Sequence, residues 1–182
     1  MKLKILGIVA LAVFLIDQGT KFLIVSNLPL GASTTIIPNF FDVIHTTNRG
    51  AAFGAFSNLP DHLRIPFFFV SSALALTVVL IYFFKVSPNH RSVLVALSLI
   101  LGGAFGNIYD RIFRGEVVDF LSFHWYDRVA HFELGSYTVR FSLEWPAFNV
   151  ADIAITVAVI WLLLVTLKGG PPENSKDNMK TI

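Results

Sequence analysis

Four long apolar segments constrain this chain more than any other feature. They cover about residues 5–25, 65–84, 93–112 and 150–167, and a helix needs about 20 mostly apolar residues to cross a bilayer. Because hydrocarbon offers no partner for backbone N–H and C=O groups, each segment is predicted to be an α-helix. The sequence therefore predicts an all-α integral membrane protein with four transmembrane helices, which places both chain ends on one side.

Composition agrees with a membrane protein and excludes several chemistries. Hydrophobic residues make up 54% of the 182 residues and charged residues only 14%. Cysteine is absent, so disulfides, thiol nucleophiles and cysteine-ligated metals are excluded. The net charge of +2 comes from basic residues scattered around the apolar segments. They are interpreted as charges that orient the spans, and no nucleic-acid partner is expected.

The basic residues predict the orientation of the spans. The first apolar run resembles a signal peptide but continues through Asp17 and Lys21 without a small-residue cleavage site, so it is interpreted as an uncleaved span. By the positive-inside rule both termini are predicted to be cytoplasmic. The basic residues of the short segments support this: Lys2, Lys4, Lys85, Arg91, Lys168, Lys176 and Lys180. Residues 1–168 are predicted to form one membrane domain, and 169–182 a disordered cytoplasmic tail.

Two long loops, residues 26–64 and 120–145, are predicted to lie together on the outer side. The first carries turn formers, a β-branched run at Ser33–Ile37 and, in our interpretation, a short amphipathic interfacial piece. In the second, Val139, Phe141 and Leu143 alternate with polar residues, which is the period of a half-buried strand. Small β and interfacial elements are therefore expected in both loops.

Charged residues and asparagines within the spans gather at their predicted outer ends, and the second span and the inner ends carry none. They are Asp17 and Lys21 in the first span, Asn107, Asp110 and Arg111 in the third, and Asn149 and Asp152 at the start of the fourth. A charge in a membrane helix costs about 2.5 to 3.5 kcal/mol at the bilayer centre, and less near the interface. Accidental charges would not collect in one leaflet, so a single outward-facing polar site is predicted.

Asp119, just after the third span, and Asp152 form the strongest candidate catalytic pair. Two neighbouring carboxyl groups can share a proton and hydrolyse a peptide bond, one as base and one as acid. A structural alternative is open: Asn149 with Asp152 three residues later is also an ordinary helix start. The histidines show no HExxH spacing and no GxSxG motif is present, so zinc and serine peptidases are not indicated.

The other polar residues have functional and structural interpretations. Asp17 and Lys21, four residues apart, are expected to pair on one helix face. Asp110 and Arg111 form a local pair, or Arg111 binds a substrate carbonyl or a lipid phosphate, or it extends to the interface. Gly102, Gly103 and Gly106 admit a substrate backbone or a neighbouring helix. The loop motif NRGAAFG, from Asn48 to Gly54, offers hydrogen bonds to a substrate.

Taken together, four motifs resemble the bacterial lipoprotein signal peptidase family, signal peptidase II. They are DQGTK in the first span, NRGAAFG in the first outer loop, GGAFGNIYDR leading to VVDF, and FNVAD at the last span. The resemblance implies a four-helix inner-membrane aspartic endopeptidase with its site facing the periplasm. Such an enzyme removes signal peptides from prolipoproteins, cutting before a diacylglyceryl-modified cysteine, and globomycin-type peptides inhibit it.

The resemblance also implies roles for residues. Asp119 and Asp152 take the catalytic positions, and no metal or cofactor is expected. Supporting or substrate-binding positions correspond to Asp17, Lys21, Asn48, Asn107, Arg111 and Asn149, and Gly50 and Asp110 of the same motifs are added as candidates. The segment from Leu121 to Glu144 is longer than the connection usual in the family, and it is predicted to form an additional hairpin or flap.

Two alternatives from other functional classes are open. A small transporter or channel subunit would use the outer acidic and basic residues to bind an ion or a lipid headgroup. Transporters of this kind usually bind near the bilayer midplane between internal repeats, and the sequence shows no repeat. A non-catalytic membrane scaffold would leave the outer carboxylates without a purpose.

Overall fold

The chain forms four helices and four strands. The structure is a computed structural model that describes residues 1–50, 59–134 and 137–169, with the backbone path alone for residues 126–134 and 137–144. In chain order the elements are α1 (Lys2–Asn27), β1 (Ser33–Ile37), β2 (Phe41–Asn48), α2 (Asp61–Lys85), α3 (Arg91–Phe113), β3 (Val117–Leu134), β4 (Tyr137–Glu144) and α4 (Val150–Leu167).

The four helices confirm the four predicted spans. Each is long and apolar enough to cross a membrane, and α4 has the predicted bounds. Large apolar side chains project outward along them, as at Ile8 (70% exposed) and Val70 (68% exposed). A continuous apolar surface of this kind is stable in lipid and not in water. Helix α2 begins four residues before the predicted span, so its first turn contains the buried Arg64.

Helix α3 is the centre of the bundle. Half of the residues in its most apolar stretch are buried, against 11% to 17% in the other three helices. Two glycines allow the close approach of its neighbours. A Cβ atom on Gly102 would lie 2.7 Å from the carbonyl oxygen of Ala10 in α1, and one on Gly103 would lie 2.6 Å from that of Ala151 in α4. At these two positions the structure confirms the helix-packing interpretation.

The two long loops pair into one antiparallel sheet in the order β1-β2-β3-β4. Strand β1 lies at the predicted Ser33–Ile37. Strands β3 and β4 pair as a hairpin within the long second loop, and their connecting residues 135–136 lie outside the described part. The loops thus contain more β structure than expected, and the all-α description applies to the membrane region alone.

A short bridge ties the sheet to the start of α4. Phe148 N donates to the carbonyl of Leu121 at 3.1 Å, and Leu121 N donates back to Phe148 at 2.9 Å. Since Asp119 precedes Leu121 by two residues and Asn149 follows Phe148, the bridge brings the first part of β3 beside the first turn of α4. This contact decides where the two candidate catalytic residues lie.

Some expectations fall on residues that the structure does not describe. Residues 28–50 and 59–60 contain strands and turns without a helix, and residues 51–58, where an interfacial piece would remain, lie outside the described part. Residues 170–182 also lie outside it. The disordered tail and the domain boundary at residue 168 therefore stay predictions.

Candidate active site

Asp119 lies on β3 at the end of the bundle that carries the sheet, and its residue surface is only 4% exposed. Strand pairing places it opposite Thr46 of β2. Its Oδ1 accepts a hydrogen bond from Asn149 Nδ2 at 2.7 Å, and the side chain of Asn48 lies close enough to lower the pKa of this carboxyl. Asp119 is therefore a buried carboxyl held by the amide of Asn149.

Asp152 lies in the first turn of α4, where it takes part in the cap of the helix. Asn149 is the N-cap, and its Oδ1 accepts from Asp152 N at 3.0 Å. In return Asp152 Oδ2 accepts from Asn149 N at 3.2 Å. The structural interpretation of this pair, a helix cap, is thus confirmed. The cap also fixes the carboxyl of Asp152 in one orientation.

Two asparagines connect the carboxyl groups. Asn107 of α3 donates from Nδ2 to Asp152 Oδ1 at 2.9 Å. Its Oδ1 accepts from Asn149 Nδ2 at 3.2 Å, the same amide that reaches Asp119. Asp119, Asn149, Asn107 and Asp152 consequently form one continuous chain of hydrogen bonds.

The environment of Asp119 favours its protonated form. Burial raises the pKa of Asp119 to about 7, and the nearby negative charge of Asp152 contributes to the rise. Hydrogen bonds from Asn149 and Asn48 and the positive charge of Lys21 act in the opposite direction but are outweighed. A carboxyl group with such a pKa can hold a proton near neutral pH and release it during a reaction.

A buried ion cluster centred on Lys21 lies beneath the carboxyl pair. Lys21 is fully buried. Its ammonium group donates to Asp17 Oδ2 at 2.9 Å, forms an ion pair with Asp110 Oδ2 at 2.8 Å and donates to Asn107 Oδ1 at 3.1 Å. The predicted Asp17–Lys21 pair is confirmed, and the third contact shows what it supports, namely the amide that orients Asp152.

Asp17 also joins the first span to the fourth. Its Oδ1 accepts from Ala151 N in the first turn of α4 at 3.0 Å. A Cβ atom on Gly106 of α3 would collide with the carboxyl of Asp17. Gly106 therefore makes room for this carboxylate, a role that the sequence did not suggest for it.

The predicted local pair of Asp110 and Arg111 was wrong. Asp110 Oδ1 pairs with Arg114, and its other oxygen pairs with Lys21. The reason is geometric, because adjacent residues on a helix project about 100° apart, whereas residues four apart share a face.

Arg111 projects to the cavity side of α3. It donates to the carbonyl of Gly50 at 3.2 Å and stacks over the ring of Phe68, 4.9 Å from its centre. Asn48 and Gly50 form a tight turn, with Gly50 N donating to Asn48 Oδ1 at 2.8 Å. The remainder of the predicted loop motif, Ala51 to Gly54, lies outside the described residues.

Sequence reasoning did not include Gln18 and Arg114, two further residues of the ion cluster, among the candidate site residues. Gln18 donates to Asp17 and to Asp110 at 3.0 and 3.1 Å, and its oxygen accepts from Arg114 at 2.8 Å. Gln18 stands inside the DQGTK motif, beside a residue that was singled out. A polar side chain next to Asp17 in an otherwise apolar span was the available signal.

Both carboxyl groups line one cavity of about 450 Å³, a volume typical of small-ligand and peptide sites. Asn48, Gly50, Asn107 and Arg111 line it as well. The rest of the lining is mostly apolar and includes Trp145, Phe148, Ile153 and Val157. Ile153 and Val157 also belong to the outward surface of α4. The cavity therefore combines a pair of carboxyl groups with a wall that continues into the membrane-facing surface.

Comparisons with known proteins agree with one family. A model of the family described as signal peptidase (SPase) II matches residues 9–168. A lipoprotein signal peptidase of Syntrophotalea carbinolica is 41% identical over 167 residues, covering 92% of this chain and 93% of that protein. One of Geobacter metallireducens is 39% identical over 175 residues, covering 96% and 97%.

Two solved structures, both described as bacterial membrane enzymes, share the fold. The first has a TM-score of 0.72 at 29% identity and covers 97% of this chain and 93% of the other. The second has a TM-score of 0.71 at 31% identity and covers 90% and 93%. Agreement over this length decides against the transporter and scaffold interpretations. The chain is a multi-pass membrane protein and belongs to the signal peptidase II family of peptidases.

Proposed function

We propose that this chain is an aspartic endopeptidase that removes the signal peptide from diacylglyceryl-modified prolipoproteins and cuts before the lipidated cysteine. The observation that carries the proposal is the pair Asp119 and Asp152, which line one cavity and are joined through Asn149 and Asn107. The names of the relatives supply the substrate class, since they are called lipoprotein signal peptidases.

The two carboxyl groups have different roles in the proposed reaction. Asp152 accepts hydrogen bonds from Asn107 and from the backbone of Asn149, and it lies at the positive end of the helix dipole. These hydrogen bonds hold the carboxyl of Asp152 in place at the cavity, and Asp152 is assigned as the base that removes a proton from the attacking water. Asp119, with its raised pKa, holds the other proton at neutral pH and is the acid.

The proposed steps conserve protons and bonds. Water attacks the scissile carbonyl carbon while its proton passes to Asp152, and the proton of Asp119 passes to the carbonyl oxygen. The tetrahedral intermediate then collapses, with Asp152 returning its proton to the leaving nitrogen and Asp119 recovering its own from the hydroxyl. The chain's own side chains complete this cycle.

The remaining supporting residues orient the site and the substrate. Lys21, which pairs with Asp17 and Asp110, donates to Asn107 and so fixes its amide group. Arg111 uses two of its five N–H donors on the carbonyls of Gly50 and Asn107. Its other donors are assigned to a substrate carbonyl, and Asn48 and Gly50 form the neighbouring edge of the cavity.

The proposed location follows from the charges and the cavity. The positive-inside rule places both termini in the cytoplasm and the sheet on the periplasmic side of the bacterial inner membrane. A prolipoprotein is anchored in the same membrane, so its scissile bond reaches a cavity whose wall continues into the lipid-facing surface of α4. Globomycin-type peptides are expected to inhibit by occupying this cavity.

Cleavage of defined substrates tests the proposal. Purified wild-type protein in detergent is given a prolipoprotein with and without the diacylglyceryl group, and the products are weighed by mass spectrometry. The proposal predicts one cut, before the cysteine, in the lipidated form. Cleavage at another bond, or equal cleavage of the unlipidated form, contradicts the proposed specificity.

A further inference from the structure

Thr156 differs from every other threonine in the described helices. The hydroxyl groups of Thr20, Thr77 and Thr166 each donate to the backbone carbonyl four residues earlier, at 2.7 to 2.9 Å. This internal bond is how a helix satisfies a hydroxyl group in an apolar environment. Within the part of the chain that the structure describes, the hydroxyl of Thr156 makes no hydrogen bond. It therefore has donor and acceptor capacity available for a ligand.

The position of Thr156 relates this hydroxyl to the reaction. Thr156 lines the same cavity as Asp119 and Asp152. It follows Asp152 by one helical turn, so it lies on the same face about 6 Å farther along α4. Its neighbours Ile153 and Val157 are apolar and exposed on the outward surface. Thr156 is itself exposed, so a substrate in the cavity can reach its hydroxyl.

We propose that Thr156 donates a hydrogen bond to a carbonyl oxygen of the substrate that lies deeper in the membrane than the scissile bond. The inference rests on the proposed function. A signal peptide reaches its cleavage site directly from an apolar segment, so the part of the chain before the scissile bond passes the deeper end of the cavity. A peptide unwound for cleavage leaves backbone carbonyls that lipid cannot satisfy. The ester carbonyls of the diacylglyceryl group lie at a similar depth and offer the same chemistry.

A set of three variants tests the proposal. Thr156→Val removes the hydroxyl and keeps the branched shape, and Thr156→Ser keeps the hydroxyl. Thr166→Val is the matched control, because Thr166 lies on the same helix and bonds internally. Each is assayed with a diacyl prolipoprotein and with a dialkyl ether analogue that lacks ester carbonyls.

The proposal predicts that Thr156→Val lowers kcat/KM about 5- to 30-fold, mainly through KM, because a substrate carbonyl loses its partner. Thr156→Ser should stay within about threefold of wild type and Thr166→Val should be unchanged, with all three melting near the wild-type temperature. A loss with both substrates assigns the partner to the peptide backbone, and a loss with the ester substrate alone assigns it to the lipid.

Two results overturn the proposal. One is a Thr156→Val variant with wild-type kcat/KM on both substrates. The other is a Thr156→Ser variant as impaired as Thr156→Val, since the hydroxyl would then be irrelevant. A wild-type protein that cleaves neither substrate refutes the proposed function instead, which is a distinguishable outcome.

Discussion

Replacement of Asp119 by asparagine should stabilise the folded protein at alkaline pH. The side chain of Asp119 is buried, and its pKa is raised from 3.8 to about 7. Between these values the folded state binds more protons than the unfolded state, so stability falls as pH rises. Below about pH 4 the carboxyl is protonated in both states, and ionisation of Asp119 no longer destabilises the fold. Above about pH 7 the carboxyl is ionised in both states, and this destabilisation is complete.

The size of this destabilisation follows from the rise in the pKa of Asp119. A rise of about three pH units corresponds to about 4 kcal/mol at 1.36 kcal/mol per unit, which is an upper limit for the gain. The Asp119→Asn variant does not ionise, and its side-chain oxygen still accepts from Asn149. At roughly 2 to 4 °C per kcal/mol for a chain of this size, its melting temperature at pH 8 should be higher by at most about 8 to 16 °C.

Thermal unfolding in detergent, followed by tryptophan fluorescence between pH 4 and pH 9, measures this difference. The gain should shrink toward zero as the pH approaches 4. Glu116→Gln is the control, because Glu116 is a carboxyl outside the cavity that pairs with Arg49 on the surface. A variant with a lower melting temperature than wild type at pH 8, or with the wild-type pH dependence, would refute the reasoning.

Two further substitutions test the scaffold of the site. Lys21→Met should destabilise the fold by about 3 to 5 kcal/mol, because it leaves the buried carboxylates of Asp17 and Asp110 without their shared cation. In a melting experiment, adding Asp17→Asn to this variant should restore part of the lost stability. A Lys21→Met variant as stable as wild type would contradict the account. Gly103→Ala should cost about 1 to 3 kcal/mol and reduce cleavage, since its Cβ would press on the backbone of α4 beside Asp152. Gly7→Ala, with open space around it, should lower neither the melting temperature nor cleavage. Equal behaviour of the two alanine variants would rule out the packing argument.

Features that depend on local sequence were predictable. The four spans follow from apolar length, and β1 follows from a β-branched run. The cap of α4 illustrates a limit of this reasoning. The three-residue spacing of Asn149 and Asp152 supported a helix cap and a catalytic aspartate as alternatives. The structure shows that Asp152 belongs to the cap and also lines the cavity. Spacing alone does not separate two uses that one side chain combines.

Features that depend on contacts between distant segments were not predictable. The pairing of Asp110 with Lys21 requires the packing of α1 against α3, and the inclusion of Gln18 requires the same packing. The place of Asp119 depends on the bridge between β3 and Phe148, which no local pattern encodes.

The roles of Asp119 and Asp152 are the central claim, and single-site kinetics test them most directly. Asp119→Asn and Asp152→Asn are compared with wild type on a lipidated prolipoprotein. Asp42→Asn is the control, because Asp42 is a buried carboxyl of the same sheet that pairs with His124 outside the cavity. The account predicts that each of the first two variants stays folded and loses at least about a thousandfold in kcat, while the control retains activity. Near-normal cleavage by either cavity variant would contradict it.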